Sequence, residues 1–256
     1  MKFKTIPIVL ALSLITVLYS GCYKPYRLNG NGDVVTQTRQ VFSFNAINSE
    51  ADFNVYIVQD SIYQITVQAE SNLMGNIQTM VNGNTLVLST NANLHNNYPI
   101  NIYVKTPTLN SILLSGSGVI QSDTIVTNNL SVKISGSGNM NGAVISPSVN
   151  TVITGSGNIN YYTITEQLAT TISGSGTINL MGSASNGSHV ISGSGNLNSY
   201  NLLENYVIAN ISGSGNMYVN VSNQLNVTIT GSGSVFYLGN PLLNINISGS
   251  GSVIKQ

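Results

Sequence analysis

The sequence predicts an all-β chain wound as a solenoid of about 19-residue coils, and three observations predict it. Eight Gly-Ser-Gly triplets begin at Gly116, Gly136, Gly155, Gly174, Gly193, Gly213, Gly231 and Gly249, at intervals of 20, 19, 19, 19, 20, 18 and 18 residues. A period that regular marks repeats that each form one coil and bury their apolar face only by stacking. Numbered from the first glycine, position −2 is Leu114 and then Ile134, Ile153, Ile172, Ile191, Ile211, Ile229 and Ile247, and position +4 is Ile, Leu, Met or Val throughout. These offsets are even, while the odd ones are Ser or Thr at −1, Ser at +1 and mostly Asn, Ser or Thr at +3, which is the alternation of a strand and not the stripe of a helix. Charged residues make up only 6% of the chain, well under the roughly 25% usual in soluble domains, so solubility rests on uncharged polar side chains.

The chain opens with a targeting pattern. Lys2 and Lys4 precede an apolar run from Ile6 to Tyr19, which at fourteen residues is short of the ~20 a membrane span needs and fits a signal peptide over residues 1–21. Cys22 is the only cysteine, which excludes an internal disulfide or a cysteine-based metal site. Its setting after Tyr19-Ser20-Gly21 resembles a bacterial lipobox, with Leu18 one place earlier than usual. That resemblance implies lipidation of Cys22 and a membrane anchor. Removing Lys2 and Lys4 from the eight basic residues leaves six against eight acidic ones. A chain that close to neutral lacks the basic stripe nucleic acid requires. Residues 22–34 carry Pro, Gly and Asn without apolar period and read as a flexible tether.

Residues 35–110 read as a β-rich lead-in that covers the first coil, since an open strand edge invites pairing with other chains. Alternation marks strands at Val41–Ile47, Phe53–Val58, Tyr63–Val67, Thr85–Ser89 and Ile100–Val104. Ser71 is placed to cap a short helical turn carrying Leu73, Met74, Ile77 and Val81, and Asn82-Gly83-Asn84 marks a tight turn. Residues 91–98 read as a mobile loop. Residues 111–256 are the repeats. The two glycines of each triplet suit a bend or a close approach of backbones. Equivalent positions then stack at ~4.8 Å, giving a rod of roughly 35 Å with Ile on Ile inside and Ser and Asn ladders outside.

Arg39-Gln-Val-Phe-Ser-Phe-Asn-Ala-Ile47, the hairpin after it, Leu86-Val-Leu88 and the repeated Ser/Thr-Gly-Ser-Gly together resemble the putative autotransporter adhesin head GIN domain family of Bacteroidetes envelope lipoproteins. The resemblance spans about residues 39–256. It implies a right-handed parallel β-helix with a β-rich N-terminal cap, in a lipid-anchored protein of the cell envelope, in all expectation the outer membrane. It brings no catalytic residues.

The residues themselves name no reaction. From Ser111 onward the only charged side chains are Asp123, Lys133, Glu166, Glu204 and Lys255. Glu166 and Glu204 share offset +11 two repeats apart, so exact register would separate them by roughly 10 Å. That is slightly wide for an inverting glycosidase pair, and solvated turn carboxylates are the expected reading. His189, at an inward offset beside Gly187, is expected to be a core histidine bonded to Thr170 or a backbone carbonyl. With His95 the only other histidine, no metal site is expected, and the triplet serines have no His and Asp partners. Catalytic residues and cofactors are therefore both expected to be none. Ser61 and Thr124 follow aspartates in short Asp-Ser/Thr-Ile motifs that resemble O-glycosylation acceptors of Bacteroidetes envelope proteins. The function expected is a non-catalytic binding, adhesion or structural module. Its partner would be a glycan or another envelope protein, contacted in part through Glu166, Glu204 or His189, and end-to-end self-association through the last coil is a further expectation. The alternative is a carbohydrate-active enzyme using Glu166 and Glu204.

Overall fold

The computed structural model describes residues 27–256, and Cys22 with the signal-peptide and anchor reading lies outside them. Two columns of parallel strands run the length of a β-solenoid. One column begins with Thr85–Thr90, Ala46–Ser49, Ser111–Leu114 and Asn129–Ile134 and continues through residues 149–153, 168–172, 187–191, 207–211 and 225–229 to Leu242–Ile247. The other begins with Asn101–Thr106, Asn54–Gln59 and Val119–Val126 and ends with Val235–Leu238 and Val253–Lys255. The −2 isoleucines stack in register from Ile134 to Ile247. All but the last are buried, each contributing on the order of 1.5–3 kcal/mol of apolar burial.

The lead-in is part of this stack. Residues 46–59 form a coil that lies between the coil of residues 85–106 and the first triplet coil, so spatial order departs from chain order. Antiparallel strands then close the end: Ile77–Asn82 on Thr85–Thr90, Gln64–Glu70 on Asn101–Thr106, and Val34–Arg39 on Gln64–Glu70. Arg39 ties two of these strands together by donating to the carbonyls of Ile77 at 2.6 Å and Met74 at 2.9 Å. Its partial burial pushes its pKa below the ordinary value.

Four local expectations change. The strand expected over Val41–Ile47 begins only at Ala46 and runs to Ser49. The helical turn shrinks to a 3-10 turn at Met74–Asn76, without a Ser71 side-chain cap, and Ile77 onward is strand. Residues 27–29, expected within the tether, pair with Asn93–His95, inside the stretch expected to be mobile. Glu70 holds both segments. Its buried carboxylate accepts from the Gly32 amide at 2.6 Å, the Asn97 amide at 2.7 Å and the Asn97 side chain at 2.9 Å. Burial raises the Glu70 pKa, but these donors and the Tyr98 amide outweigh it and hold the group below its usual range. A polar loop looks mobile in sequence when its anchor lies more than 20 residues away.

Close approach, and not a left-handed backbone, is what the triplet glycines are for. None of them lies in the positive-φ region. A Cβ built on Gly174 overlaps the carbonyl oxygen of Gly155 in the coil before, and one on Gly176 overlaps that of Gly157. The corner continues the ladder, with Ser156, Ser175 and Ser194 each donating N–H to the first triplet glycine of the preceding coil at 3.1 Å.

Unequal coil lengths are absorbed as bulges. The first 20-residue interval places a register shift between Gln121 and Thr124, and the second places one opposite Asn179 and Met181. Because side chains alternate faces with period two, a one-residue insertion turns every following side chain to the other face until it is compensated. At the far end the last coil is uncovered by any described residue, leaving Leu243, Ile245 and Ile247 exposed at positions that are interior in earlier coils.

Candidate functional site

A groove of about 1100 Å³ runs along one flank of the solenoid, crossing five successive levels from Asn45 and Thr108 to Ser183 and Ser185. Its apolar stripe is Val126, Ile145 and Ile164, one per coil and in register. They are 57%, 42% and 40% exposed, whereas an ordinary strand alternation would put a polar residue at such outward positions. Gln59 fixes the first rung: its side chain donates to the Val126 carbonyl at 2.9 Å and accepts from the Val126 amide at 2.8 Å, just beyond the bulge. Beneath the stripe, Ser146 and Thr165 point inward and spend their hydroxyl protons on the carbonyls of Ser148 and Gln167 at 2.9 and 3.0 Å. Eleven of the fifteen lining residues are polar, and only Glu166 is charged.

On the strand face at offset +5, Asn141, Asn160, Asn179 and Asn198 form an amide ladder, each side chain donating to the one before at 2.8, 2.6 and 2.7 Å. The column continues as Tyr218 stacked on Phe236, with centroids 5.0 Å apart and planes 8° apart. Tyr200 meets Tyr218 edge to face at 84°. Burial, then the neighbouring Tyr218, raises the Tyr200 pKa. The outer ladders expected from sequence are thus present, and the aromatic end of this one was legible only by reading Tyr218 and Phe236 in the same column.

Of the residues singled out from sequence, Glu166 lies exposed in the groove and Glu204 lies inside the solenoid with no exposed surface. Of the two solvated turn carboxylates expected, only Glu166 is one, and the carboxylate pair of the enzyme alternative does not form, because the extra residue near Tyr200 moves Glu204 into register with Ala184 and Thr165 while Glu166 is level with Ser185. Glu204 instead meets His189. The imidazole Nε2 is 3.0 and 3.2 Å from the two Glu204 oxygens, and Nδ1 is 3.0 Å from the Thr170 hydroxyl. With the proton on Nε2, the ring donates to Glu204 and accepts from Thr170, so all three buried groups are satisfied. Gly187 makes the space, since a Cβ there would overlap both Glu204 and His189. The buried Tyr161 hydroxyl is linked to the part-exposed Ser122 at 3.3 Å. Burial pushes the Tyr161 hydroxyl up to about 12, partly opposed by Ser122.

Ser61 is exposed in a turn, where the Asp60 carboxylate accepts from its amide at 2.6 Å, and Thr124 is exposed at the first bulge. Asp60 also accepts from Lys105 at 2.8 Å, which with the Ser61 amide holds its pKa below the ordinary value. No group of three or more His, Cys, Asp or Glu side chains able to hold a metal occurs among the described residues.

Residues 43–241 match the family model described as "putative auto-transporter adhesin, head GIN domain". The chain belongs to this family. Among solved structures, this GIN-domain protein is similar to a putative adhesin of Parabacteroides merdae, with 22% identity, a TM-score of 0.86 and coverage of 90% of this chain and 99% of that one. It is also similar to a putative lipid binding protein of Parabacteroides distasonis, with 26% identity, a TM-score of 0.85 and coverage of 90% and 100%. A putative adhesin of the same organism shares the fold at 19% identity and a TM-score of 0.86, with coverage of 90% and 100%. Among curated proteins, none matches the chain. No helix among the described residues is long and apolar enough to cross a membrane.

Proposed function

We propose that this GIN-domain protein is a non-catalytic adhesion or binding module of the cell envelope. In this reading it is tethered to the outer membrane by a lipid on Cys22 and takes an extended ligand along the groove of Val126, Ile145 and Ile164. The observation that carries the reading is the groove itself. A concave surface of about 1100 Å³ with a continuous apolar stripe and convergent polar side chains is the form binding sites take. Family membership among adhesins supports it. Because Glu166 and Glu204 occupy opposite sides of the coil wall, the enzyme alternative has no acid–base pair to use. A lipid ligand is the second reading, motivated by the exposed stripe and by the P. distasonis relative.

The test is a screen of the full chain, held in amphipol, against envelope polysaccharides, oligosaccharides and acyl lipids, with the same glycans assayed for cleavage. Binding without turnover is expected. Turnover abolished by Glu166→Gln and Glu204→Gln would overturn the non-catalytic reading. Intact mass of the natively expressed protein tests the anchor separately: a lipid-sized increment on a chain beginning at Cys22 is expected, and its absence would remove the lipoprotein reading. The same spectrum shows whether a glycan is carried, and peptide mapping would place it on Ser61 or Thr124.

A further inference from the structure

The geometry points to an uncharged polysaccharide strand, lying along the solenoid axis on Val126, Ile145 and Ile164, as the ligand of the groove. The inference rests on the groove being the binding site. Three observations choose the ligand class by elimination and by fit.

The backbone of the groove floor has no free edge. Residues 143–145, 162–165 and 181–184 are paired in register with the coils on both sides. A peptide therefore cannot add as a strand there, and only side chains are available to hold a ligand. The apolar content is a stripe one side chain wide, with just Val126, Ile145, Pro147 and Ile164 apolar among fifteen lining residues. An acyl chain laid there would remove water from many hydroxyls and amides and give nothing back, a loss on the order of 1–3 kcal/mol for each polar group left unpaired. A sugar chain presents C–H faces to the stripe and hydroxyls to the Asn, Thr and Ser side chains beside it, so both kinds of surface are matched.

Charge completes the argument. With Glu166 the single acidic side chain in the groove and no basic one beside it, nothing there would neutralise an acidic polysaccharide. The ligand is then a neutral chain. Five levels at ~4.8 Å per rise give a contact of roughly 19 Å, enough for a short oligosaccharide lying lengthwise, with equivalent groups offered to it once per coil.

The experiment is calorimetric titration of the full chain, held in amphipol, with neutral β-linked gluco-, xylo- and manno-oligosaccharides, with an oligogalacturonate as the acidic counterpart and a soluble fluorescent fatty acid as the acyl probe. We expect binding of at least one neutral series, and a tenfold or greater rise in Kd in the Ile145→Ser/Ile164→Ser variant. Both side chains are outward and part-exposed, so the fold should survive, and an unchanged melting curve checks this. Ile208→Ser, which removes an exposed isoleucine outside the groove, should leave Kd unchanged. Added salt should change Kd by less than about twofold, as expected where no ion pair forms. Neutral-glycan binding that persists in the double variant would overturn the groove assignment while leaving the binding-module reading intact. Acyl-probe binding through the stripe without glycan binding, or preference for the oligogalacturonate, would overturn the ligand class alone. Binding of none of the probes would overturn this inference and the reading beneath it together.

Discussion

Glu204 is the residue whose placement could not be read from spacing. Counting from Gly193 puts it at offset +11, beside the exposed Glu166 of two repeats earlier, but the bulge that accommodates a 20-residue interval turns it inward. His189 lies before the bulge in its own coil, so counting placed it correctly in the core next to Thr170. A buried carboxylate and imidazole satisfied by one another make a specific prediction. Glu204→Ala should cost about 3–5 kcal/mol, because it leaves the Nε2–H of His189 without an acceptor and opens a cavity in a dry interior. The triple replacement Thr170→Val, His189→Leu, Glu204→Met removes all three polar groups at once and should recover most of that loss. Denaturant titration of the two proteins decides. Equal and large destabilisation in both would mean that the cavity shape, and not polar pairing, sets the cost. Gly187 belongs to the same cluster, and its identity makes sense only once Glu204 is known to lie over it.

At the scale of elements, the repeat coils were legible because each position repeats its own evidence eight times. Most of the N-terminal strands were legible one by one, but their pairing was not, because their partners are set by contacts distant in sequence: Ala46–Ser49 pairs with strands on either side, and Asn93–His95 with Arg27–Asn29. The triplet corner carries the plainest prediction. Gly174→Ala forces a methyl group into the Gly155 carbonyl, and the two coils must separate locally. A loss on the order of 3 kcal/mol is expected, at roughly 2–4 °C of Tm per kcal/mol in a chain of this size. An alanine tolerated within a degree would show the coils to be spaced more loosely than the ladder bonds imply. The Glu70 clasp responds to pH instead. Its pKa is below the usual glutamate value of 4.5, so the unfolded segment binds the proton more readily than the folded one. The clasp's contribution is therefore complete above that value and is lost as pH falls through the lower, folded value. The protection of the Gly32 and Asn97 amides, meaning the slowing of their hydrogen exchange relative to the same amide in an unfolded chain at the same pH, should fall only on that acid side. In Glu70→Gln this protection should already be low at neutral pH and lose its pH dependence. Protection that is independent of pH in the unmodified chain would remove the clasp.

For the molecule as a whole, a solenoid touches only itself one coil away, and stability is accordingly close to a sum of coil terms and nearest-neighbour interfaces. The cap at one end is built from three antiparallel strands, an Arg39 bridge and the Glu70 clasp, while the coil ending at Lys255 keeps its apolar side chains part-exposed. The rod should therefore open from the end carrying residues 242–255, with local opening free energies rising toward the cap. Placing the same lesion at two points tests this. Gly251→Ala, where the methyl group meets the Gly233 carbonyl, should increase exchange only in residues 235–256 and leave the main transition nearly in place. Gly174→Ala should weaken the interface between two central coils and split unfolding into two steps, the repeats beyond residue 174 separating before the capped portion. The groove spans residues on both sides of that interface, from Asn45 to Ser185, so a ligand lying along it bridges the weakened joint. Saturating oligosaccharide should then merge the two steps of Gly174→Ala back into one, by the mass-action stabilisation that any ligand of the folded form confers. Two transitions that stay apart at saturation would mean that the ligand does not cross the joint, and a single transition without ligand would mean that the coils are coupled over a longer range than their contacts.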